Sequence, residues 1–397
     1  MPLSRSFGYS ATLAAAGLAI MSGIGADNRA SAAEKAPMVI ARSGYLYAGG
    51  QVDKSIAGSP MTGHLYAEFQ IPTKLEHPYP IVMVPGGSQT GTNFTGNISG
   101  GEGWSQYFLR RGYAVYVVDQ VARGRSAYYS QAFGPLGNAN LQFAQQRFVS
   151  PEKYNLWPQA HLHTQFPGTG ELNDPFFQKF WATQYPSLPN FTKQQELNVP
   201  ALVALFDKIG PAILLTHSQS GAYNWPVAEA RPNLVKAIVA IEPSGPPVHD
   251  MVPTGAPDWF KDAAPTKISG LADIPLAYDP PIPPGGKLDV VQQDKPDAPD
   301  LVRCWMQKEP ARKLPKIAGI PTVIIQSEAS YHAPYDHCTA KWLTQAGVAN
   351  TYIRLADKGV HGNGHMMMVE NNSDEIAAVI EGWLAQQPSL KAATAAK

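Results

Sequence analysis

The sequence predicts an α/β fold in which a mainly parallel sheet carries helices on both faces. Short apolar runs bounded by Gly and Pro alternate with longer amphipathic stretches. Most of the runs are rich in Val and Ile with few charges, as expected of strands buried on both faces. The 35 glycines and 36 prolines favour long ordered loops over a helical bundle. The strands that this pattern predicts are residues 80–84, 113–119, 212–217, 237–242, 321–326 and 351–355.

Three amphipathic segments between and after these strands are predicted to be helices. Residues 103–111 form the first, and residues 200–209 form the second, with Pro200 in the favourable first position. The third, residues 374–386, has its apolar residues at helical spacing and is preceded by Ser373 as N-cap. Strands and helices that alternate in this way imply parallel strands joined by crossover helices.

The first 32 residues are predicted to be a signal peptide outside the fold. Arg5 gives a positive start, residues 11–25 are mostly apolar, and residues 30–32 (Ala-Ser-Ala) form a small-residue cleavage site. A membrane anchor is the alternative, but the apolar stretch is short against the ~20 residues that a spanning helix needs. We therefore expect residues 33–397 to form a single domain of a secreted or periplasmic protein.

The overall composition excludes several classes of protein and partner. Lys and Arg together number 31, as do Asp and Glu, so no net field attracts nucleic acid or an anionic membrane. The 44% hydrophobic content supplies enough apolar surface for a core, which excludes overall disorder. We expect a globular protein that acts on a small molecule.

The chain contains 2 cysteines, Cys304 and Cys338. In an oxidising compartment a disulfide between them is one prediction, and two buried free thiols are the alternative. Their spacing from His and from each other matches neither a thiolate nucleophile nor a zinc site. We expect neither a metal ion nor a cofactor.

Two long segments, at about residues 127–199 and 244–315, interrupt the alternation of strands and helices. The second contains Asp-Pro-Pro-Ile-Pro-Pro-Gly-Gly at 279–286, which is incompatible with a helix or a central strand. Long loops in a compact domain are usually functional, so we predict a lid or cap over an apolar pocket; inert surface loops are the alternative. Aromatic residues of the insertions are individually more often core than ligand contacts, so none is assigned to the site; they are Trp157, Phe166, Phe176, Phe177, Phe180, Trp181, Tyr185 and Trp259.

Residues 213–221 (Ile-Leu-Leu-Thr-His-Ser-Gln-Ser-Gly) have the pattern of a nucleophile elbow, a sharp turn from strand to helix that presents a reactive serine. Such a turn needs small residues two positions before the nucleophile and two and three positions after it. Ser218 meets this requirement, whereas Ser220 would place Tyr223 at the last of these positions. Both outer glycines of the usual G-x-S-x-G pattern are replaced, and a polar turn with incidental serines is the alternative. Ser218 is the predicted nucleophile.

A glycine pair follows the first predicted strand, in residues 85–88 (Pro-Gly-Gly-Ser). Backbone N–H groups at such a turn can point at a developing oxyanion. We assign the N–H groups of Gly87 and Gln219 as the oxyanion-hole donors; an ordinary tight turn is the alternative. A phosphate-binding loop is disfavoured because no Lys follows the glycines. The turn at 119–126, after the next strand, is expected to be structural.

The stretch 359–370, after the last predicted strand, contains two candidate general bases, His361 and His365. Histidine is favoured because its ordinary pKa lies nearest neutral pH. His365 opens the stretch that leads to the last helix, which favours it over His361. A metal-ligand pair at this spacing requires a helix, which the glycines at 362 and 364 disfavour.

Three carboxylates are candidates for the acid that orients the base. Glu242 ends one strand, Glu328 follows the next, and Asp336 lies further on. All three preserve the chain order Ser, acid, His, so the order leaves the choice open. For each of them singly, a solvated surface position is the more common fate.

Several of these motifs together resemble a small family of secreted bacterial esterases of the α/β-hydrolase fold. The resemblance is carried by residues 80–126, 216–221, 237–247 and 359–368. It implies that fold, with the two insertions as a lid, and a Ser-Glu-His triad whose glutamate follows strand six, which corresponds to Glu242. Members of that family can carry adjacent cysteines where this chain has Gly87 and Ser88. The resemblance also implies a homodimer.

The function implied is a serine carboxylic-ester hydrolase that acts through an acyl-enzyme intermediate. Ser218 is then the nucleophile, His365 the general base and Glu242 the acid that orients it. The expected substrate is a small-molecule ester. Amide cleavage or acyl transfer on the same scaffold is one alternative, and a non-catalytic exported binding protein is another.

Overall fold

The computed structural model describes residues 36–391, and eight strands in that part of the chain form the central sheet. Four further strands form two small sheets of two strands each. In chain order the strands are β1 (Ile40–Val52), β2 (Met61–Pro72), β3 (Ile81–Val84), β4 (Val115–Asp119), β5 (Ala212–His217), β6 (Val235–Ile241), β7 (His249–Pro253), β8 (Phe260–Pro265), β9 (Val290–Gln292), β10 (Trp305–Gln307), β11 (Thr322–Gln326) and β12 (Asn350–Arg354). The order across the central sheet is β1-β2-β4-β3-β5-β6-β11-β12.

The central sheet is mainly parallel, which confirms the predicted fold class. Within this sheet, neighbours in the run β4-β3-β5-β6-β11-β12 pair in parallel, whereas β1 with β2 and β2 with β4 pair antiparallel. All six predicted strands are present, with ends that differ by one or two residues at most. The β1–β2 pair was not predicted because β1 is largely exposed: its one buried residue, Ala48, leaves no apolar alternation to detect.

Helices cover both faces of this sheet. They are α1 (Trp104–Arg110), α2 (Ser130–Phe133), α3 (Leu141–Ala144), α4 (Pro151–Tyr154), α5 (Pro175–Trp181), α6 (Phe191–Ile209), α7 (Asn224–Ala230), α8 (Asp336–Gln345) and α9 (Ser373–Ala385). On one face, Leu214 of β5 shares a core with residues of α6, α7 and α8. On the other, Ile213 faces Leu384 of α9. Ser373 is the first residue of α9 rather than its N-cap, so that boundary prediction is wrong by one position.

Helix α6 begins well before the helix start predicted at Pro200. The side chain of Asn190 accepts a hydrogen bond from the backbone N–H of Lys193, which caps the helix. Pro200 is exposed in the helix interior, where a proline costs about 3 kcal/mol. Burial of a long apolar face against the sheet offsets this cost. The predicted boundary of the first insertion at residue 199 therefore falls inside a helix.

The two insertions pack against each other. The first contains α2 to α5, and the second contains the small sheets β7–β8 and β9–β10. Trp157 of the first insertion and Val302 of the second share a buried cluster with Tyr331. Cys304 and Cys338 form a disulfide with an S–S distance of 2.04 Å, which ties the second insertion to α8. Of the two predictions for these cysteines, the disulfide is the one found.

The predicted signal peptide, residues 1–32, lies outside the described residues, so it remains a prediction. Among the helices within residues 36–391, none combines the length and the apolar character needed to cross a bilayer.

Candidate active site

Ser218 lies directly after β5, at the start of a 3₁₀ turn that leads into α7, with a φ of +56°. A positive φ is uncommon for a residue other than glycine, and it is the strained geometry of a nucleophile elbow. A Cβ on Gly221 would lie 2.5 Å from Cα of Pro243, and one on Gly86 would lie 2.9 Å from Cβ of Ser218. Glycine at these two positions therefore allows the neighbouring chain segments to approach the turn.

The surroundings of Ser220 exclude it as the nucleophile. Its buried hydroxyl lies 2.8 Å from the carbonyl oxygen of Val84 and 2.9 Å from that of His217. The same hydroxyl accepts a hydrogen bond from the backbone N–H of His217 at 3.1 Å. The Ser220 hydroxyl thus links the elbow to the end of β3 by a hydrogen bond. This explains why a small polar residue occurs two positions after Ser218.

Glu242 follows β6 and is fully buried. Its Oε2 lies 2.6 Å from Nδ1 of His365 and accepts a hydrogen bond from the Ser330 hydroxyl at 2.6 Å. Its Oε1 accepts hydrogen bonds from the backbone N–H of Ser327 at 2.8 Å and from the hydroxyl of that residue at 2.5 Å. Burial raises the pKa of the Glu242 carboxyl, and these donors act against the rise. A carboxylate in this position fixes the tautomer that carries its proton on Nδ1 of His365.

His365 is fully buried, and its backbone carbonyl accepts a hydrogen bond from Nε2 of His217 at 3.0 Å. The ring stacks on His332, with a centroid separation of 4.7 Å. Burial, helped by His332 and by the positive charge of Arg147, lowers the pKa of His365 well below its ordinary value. The imidazole is therefore neutral at physiological pH, and Nε2 can accept a proton.

Tyr331, which sequence analysis missed, lies near both Ser218 and His365. Its hydroxyl lies 3.4 Å from Nε2 of His365. The Ser218 side chain lies near the same hydroxyl, since it is among the groups that influence its pKa, and it lines the same cavity. Burial raises the pKa of Tyr331, so its hydroxyl is protonated at neutral pH. Ser218 and His365 therefore face the same small volume, near the hydroxyl of Tyr331.

The two other candidate acids pair with histidines of their own. Oε1 of Glu328 lies 3.0 Å from Nδ1 of His361, and Oδ1 of Asp336 lies 2.8 Å from Nδ1 of His332. The His361 side chain is 62% exposed, which places it at the surface. His332 also lines the cavity of Ser218, where its ring stacks on that of His365. His361 and Glu328, the alternative base and one of the alternative acids, thus pair with each other near the surface.

Gly87 and Gln219, the predicted oxyanion donors, lie together beside Ser218. A Cβ on Gly87 would be 3.7 Å from Oε1 of Gln219, and both residues line the same cavity. The buried guanidinium of Arg123 donates to the Gly86 carbonyl at 2.6 Å and to Oε1 of Gln219 at 3.3 Å. Burial lowers the pKa of Arg123 to about 10, so the group stays charged at neutral pH. The turn at 119–126 thus supports the oxyanion loop from below.

The loop that carries His365 is held by the buried carboxylate of Glu370. This carboxylate accepts hydrogen bonds from the backbone N–H of Gly364 at 3.1 and 3.2 Å. His163, from the first insertion, lies 3.0 Å from Glu370 and 2.9 Å from Glu152. Burial acts to lower the pKa of His163, but the hydrogen bonds to these carboxylates raise it to about 9. A charged imidazole therefore links the first insertion to the loop that carries His365.

A cavity of about 420 Å³ opens above Ser218, a volume suited to a small organic molecule. None of the eight aromatic residues singled out in the insertions lines it, although Phe143, Phe148 and Phe191 of the first insertion do. Trp157, Phe177 and Phe180 are instead almost fully buried, because the insertions need an apolar core of their own. The aromatic residues that do line the cavity are Phe143, Phe148, Phe191, Tyr331 and Tyr335.

Two groups of side chains within residues 36–391 bring three ligand-type atoms within 4.8 Å of one another. They are Glu242, His332 and His365, and Cys304, His337 and Cys338. In the first group the carboxylate and the imidazole are already hydrogen bonded to each other. In the second group the two sulfurs are joined in a disulfide. A cysteine binds a metal ion as a thiolate, which a disulfide sulfur is not. We assign a metal to neither group.

Residues 81–379 match the family model of the Alpha/beta hydrolase family. The chain belongs to the alpha/beta hydrolase family. It is 41% identical over 346 residues to a probable secreted lipase, phiG, of Fungal sp. (strain ATCC 74256). The aligned region covers 86% of this chain and 89% of that protein. Among solved structures, one described as the atomic resolution structure of a novel bacterial esterase matches with a TM-score of 0.58 and 22% identity, over 89% of this chain and 98% of the other. The α/β-hydrolase fold that the sequence resemblance implied is confirmed.

Sequence analysis of this alpha/beta hydrolase missed several side chains at the cavity, namely Arg147, Phe148, Tyr331 and His332. The sequence did contain a signal for Tyr331 and His332. Residues 330–337 (Ser-Tyr-His-Ala-Pro-Tyr-Asp-His) follow β11 and are dense in titratable groups. Active sites of α/β proteins lie at the carboxyl ends of parallel strands, which makes such a run a candidate. Arg147 and Phe148 lie in the first insertion, where no motif marks them.

Proposed function

We propose that this alpha/beta hydrolase is a serine carboxylic-ester hydrolase that works through an acyl-enzyme intermediate. The observation that supports the proposal most is the 2.6 Å contact between Oε2 of Glu242 and Nδ1 of His365. Nε2 of the same ring lies 3.4 Å from the Tyr331 hydroxyl, and Ser218 lines the same cavity as both residues. Nucleophilic acyl transfer requires an acid, a base and an alcohol arranged in this spatial order.

In the proposed acylation step, Oγ of Ser218 attacks the ester carbonyl carbon while Nε2 of His365 takes the hydroxyl proton. Glu242 keeps the ring in its reactive tautomer and stabilises the imidazolium that forms. The N–H groups of Gly87 and Gln219 stabilise the oxyanion, each lowering the barrier by ~3 kcal/mol. The imidazolium then protonates the departing alcohol. Water attacks the acyl-enzyme by the reverse proton path and releases the acid.

The cavity and the relatives support an ester of a small organic acid or alcohol as substrate. The cavity is lined by aromatic side chains as well as by Ser218 and His365, so an apolar substituent can be buried beside the reacting carbonyl. The 41% identical relative is named as a probable secreted lipase. With the signal-peptide pattern at residues 1–32, this supports export of the protein. The homodimer remains a prediction, which sedimentation velocity would test.

Labelling with a fluorophosphonate probe tests the proposed chemistry. We expect stoichiometric labelling of the wild-type protein on Ser218, located by peptide mass spectrometry, and hydrolysis of 4-nitrophenyl esters. Ser218→Ala should lose both while keeping the circular dichroism spectrum. Ser130→Ala, a change at an exposed serine outside the cavity, is the matched control and should retain both. Full turnover by Ser218→Ala would overturn the assignment.

A further inference from the structure

Arg147 is a charged residue inside the candidate active site that the proposed mechanism does not use. It lies in a five-residue π-helical turn, Gln145–Val149, that follows α3 in the first insertion. Such turns are rare and occur often at functional sites. Its side chain reaches the cavity above Ser218. The guanidinium carbon is 4.3 Å from the ring centroid of Phe143 and 5.2 Å from that of Tyr331.

Within residues 36–391, Arg147 forms an ion pair with no carboxylate. One acidic residue, Asp250, also lines the cavity, but its carboxylate is paired with the ammonium group of Lys267. Glu242 lies beneath His365 and is satisfied by its own donors. The positive charge of Arg147 is therefore not neutralised by the acids around the cavity.

The guanidinium is also close to the reacting groups. Besides burial, its charge is among the causes that lower the pKa of His365 and that of His332. It also stacks near Tyr331, whose hydroxyl lies near Ser218 and His365. A substituent of an ester bound at Ser218 can thus reach Arg147 without leaving the cavity.

Aromatic neighbours make this position suited to an anion. Two rings hold the guanidinium plane by cation–π contacts and reduce the water around it. In such surroundings a hydrogen bond between Arg and a carboxylate is stronger than at an open surface, and the planar fork fits both carboxylate oxygens. A wholly neutral substrate would leave this charge unpaired when it displaces water from the cavity, which is costly.

We infer that Arg147 binds a carboxylate of the substrate, so that the enzyme prefers esters whose acyl or alcohol part carries a free carboxylate. The inference rests on the ester-hydrolase function proposed above and narrows its substrate class. Arg147 is then a specificity-determining residue that touches the substrate away from the scissile bond.

A matched pair of substrates tests the acyl side: the mono-4-nitrophenyl ester of adipic acid, and 4-nitrophenyl hexanoate, which has the same chain length and leaving group without the charge. The alcohol side is tested by 4-carboxyphenyl hexanoate against phenyl hexanoate. In at least one pair, we expect wild-type kcat/KM to be higher for the anionic ester by about tenfold or more, the size of a charge-assisted hydrogen bond. Raising the ionic strength from about 0.05 M to about 0.5 M should reduce this ratio.

Arg147→Gln should remove the preference while changing kcat/KM for the neutral ester by less than about threefold, and Arg147→Lys should restore part of it. Measurements at pH 8 keep His365 neutral in both proteins. Arg42→Gln is the matched control, because Arg42 is exposed on β1 and also stacks on a ring, that of Phe69 at 5.4 Å. It should keep the wild-type ratio.

Two results would overturn the inference: a wild-type enzyme that hydrolyses the neutral ester of each pair as well as the anionic one, or an Arg147→Gln variant that loses the same factor on both. Either result leaves the proposed function intact. Failure of the proposed function is distinct, since then neither ester is hydrolysed and the fluorophosphonate does not label Ser218. In that case calorimetric binding of monomethyl adipate, which carries one carboxylate at pH 8, to wild-type and Arg147→Gln proteins decides the inference, with equal affinity contradicting it.

Discussion

The hydroxyl oxygen of Tyr331 lies 3.4 Å from Nε2 of His365, the nitrogen that accepts the Ser218 proton in the proposed mechanism. Because the protonated hydroxyl of Tyr331 can donate to this nitrogen, it occupies the position at which the Ser218 hydroxyl would donate. The Tyr331 contact must break before the proton passes directly from Ser218 to His365.

Tyr331→Phe is therefore expected to speed acylation. The change keeps the ring that packs on Arg147 and removes one hydrogen bond of the resting state, which is worth about 1 kcal/mol or about a fivefold gain in rate. The measurement is the second-order rate constant for fluorophosphonate labelling of Ser218. A fall in that constant would show instead that Tyr331 passes the proton on.

Glu242→Gln and Glu328→Gln form a matched pair that tests the choice of acid. Glu242 is buried against His365, while Glu328 pairs with the exposed His361. We expect kcat to fall by roughly 10³ to 10⁴ in Glu242→Gln, because the amide favours the wrong imidazole tautomer. Glu328→Gln should stay within about twofold of wild type. Steady-state kinetics with a check of folding by circular dichroism decide between them, and a larger loss in Glu328→Gln would contradict the assignment.

The pH dependence of kcat/KM follows from the lowered pKa of His365. The mechanism needs the neutral imidazole, and a folded-state pKa well below 6.5 means that this form persists as the pH falls. We expect kcat/KM to be constant from about pH 8 down to about pH 6.5 and to decline only below that. Because Arg147 helps to lower this pKa, Arg147→Gln should move the decline to higher pH. A wild-type midpoint above 6.5 would contradict the prediction.

His163 should make the folded state less stable at alkaline pH. Its pKa is raised to about 9 in the fold, so its stabilising protonation is complete below the ordinary value of 6.5 and is lost as the pH rises through 9. The loss for this nearly buried group is on the order of 3 kcal/mol. Urea unfolding of the wild type and of His163→Gln at pH 6.5 and pH 9.5 measures it. The wild type should lose more stability than the variant between these two pH values, and equal losses would contradict the linkage.

The sequence predicted the strand β5 at its observed bounds because a buried parallel strand leaves a clear mark, an apolar run that ends at a turn. It also predicted the elbow, because the steric demand of that turn restricts the residues around Ser218 to small ones. The start of α6 was missed because a local rule for proline was outweighed by burial of a long helix face. The sequence left open which aromatic residues of the insertions line the cavity, because their number alone does not distinguish a core from a pocket.

By itself, then, the sequence determined the fold class, the nucleophile candidate and a short set of bases and acids, since these depend on local spacing and on chain order. Only the tertiary structure decided which acid meets which histidine, because Glu242, Glu328 and Asp336 come from the same edge of the sheet and each contacts a different imidazole. It also brought Tyr331 and Arg147 to Ser218 from segments far away in the chain. Contacts of that kind depend on how loops pack over the sheet, and no local pattern encodes them.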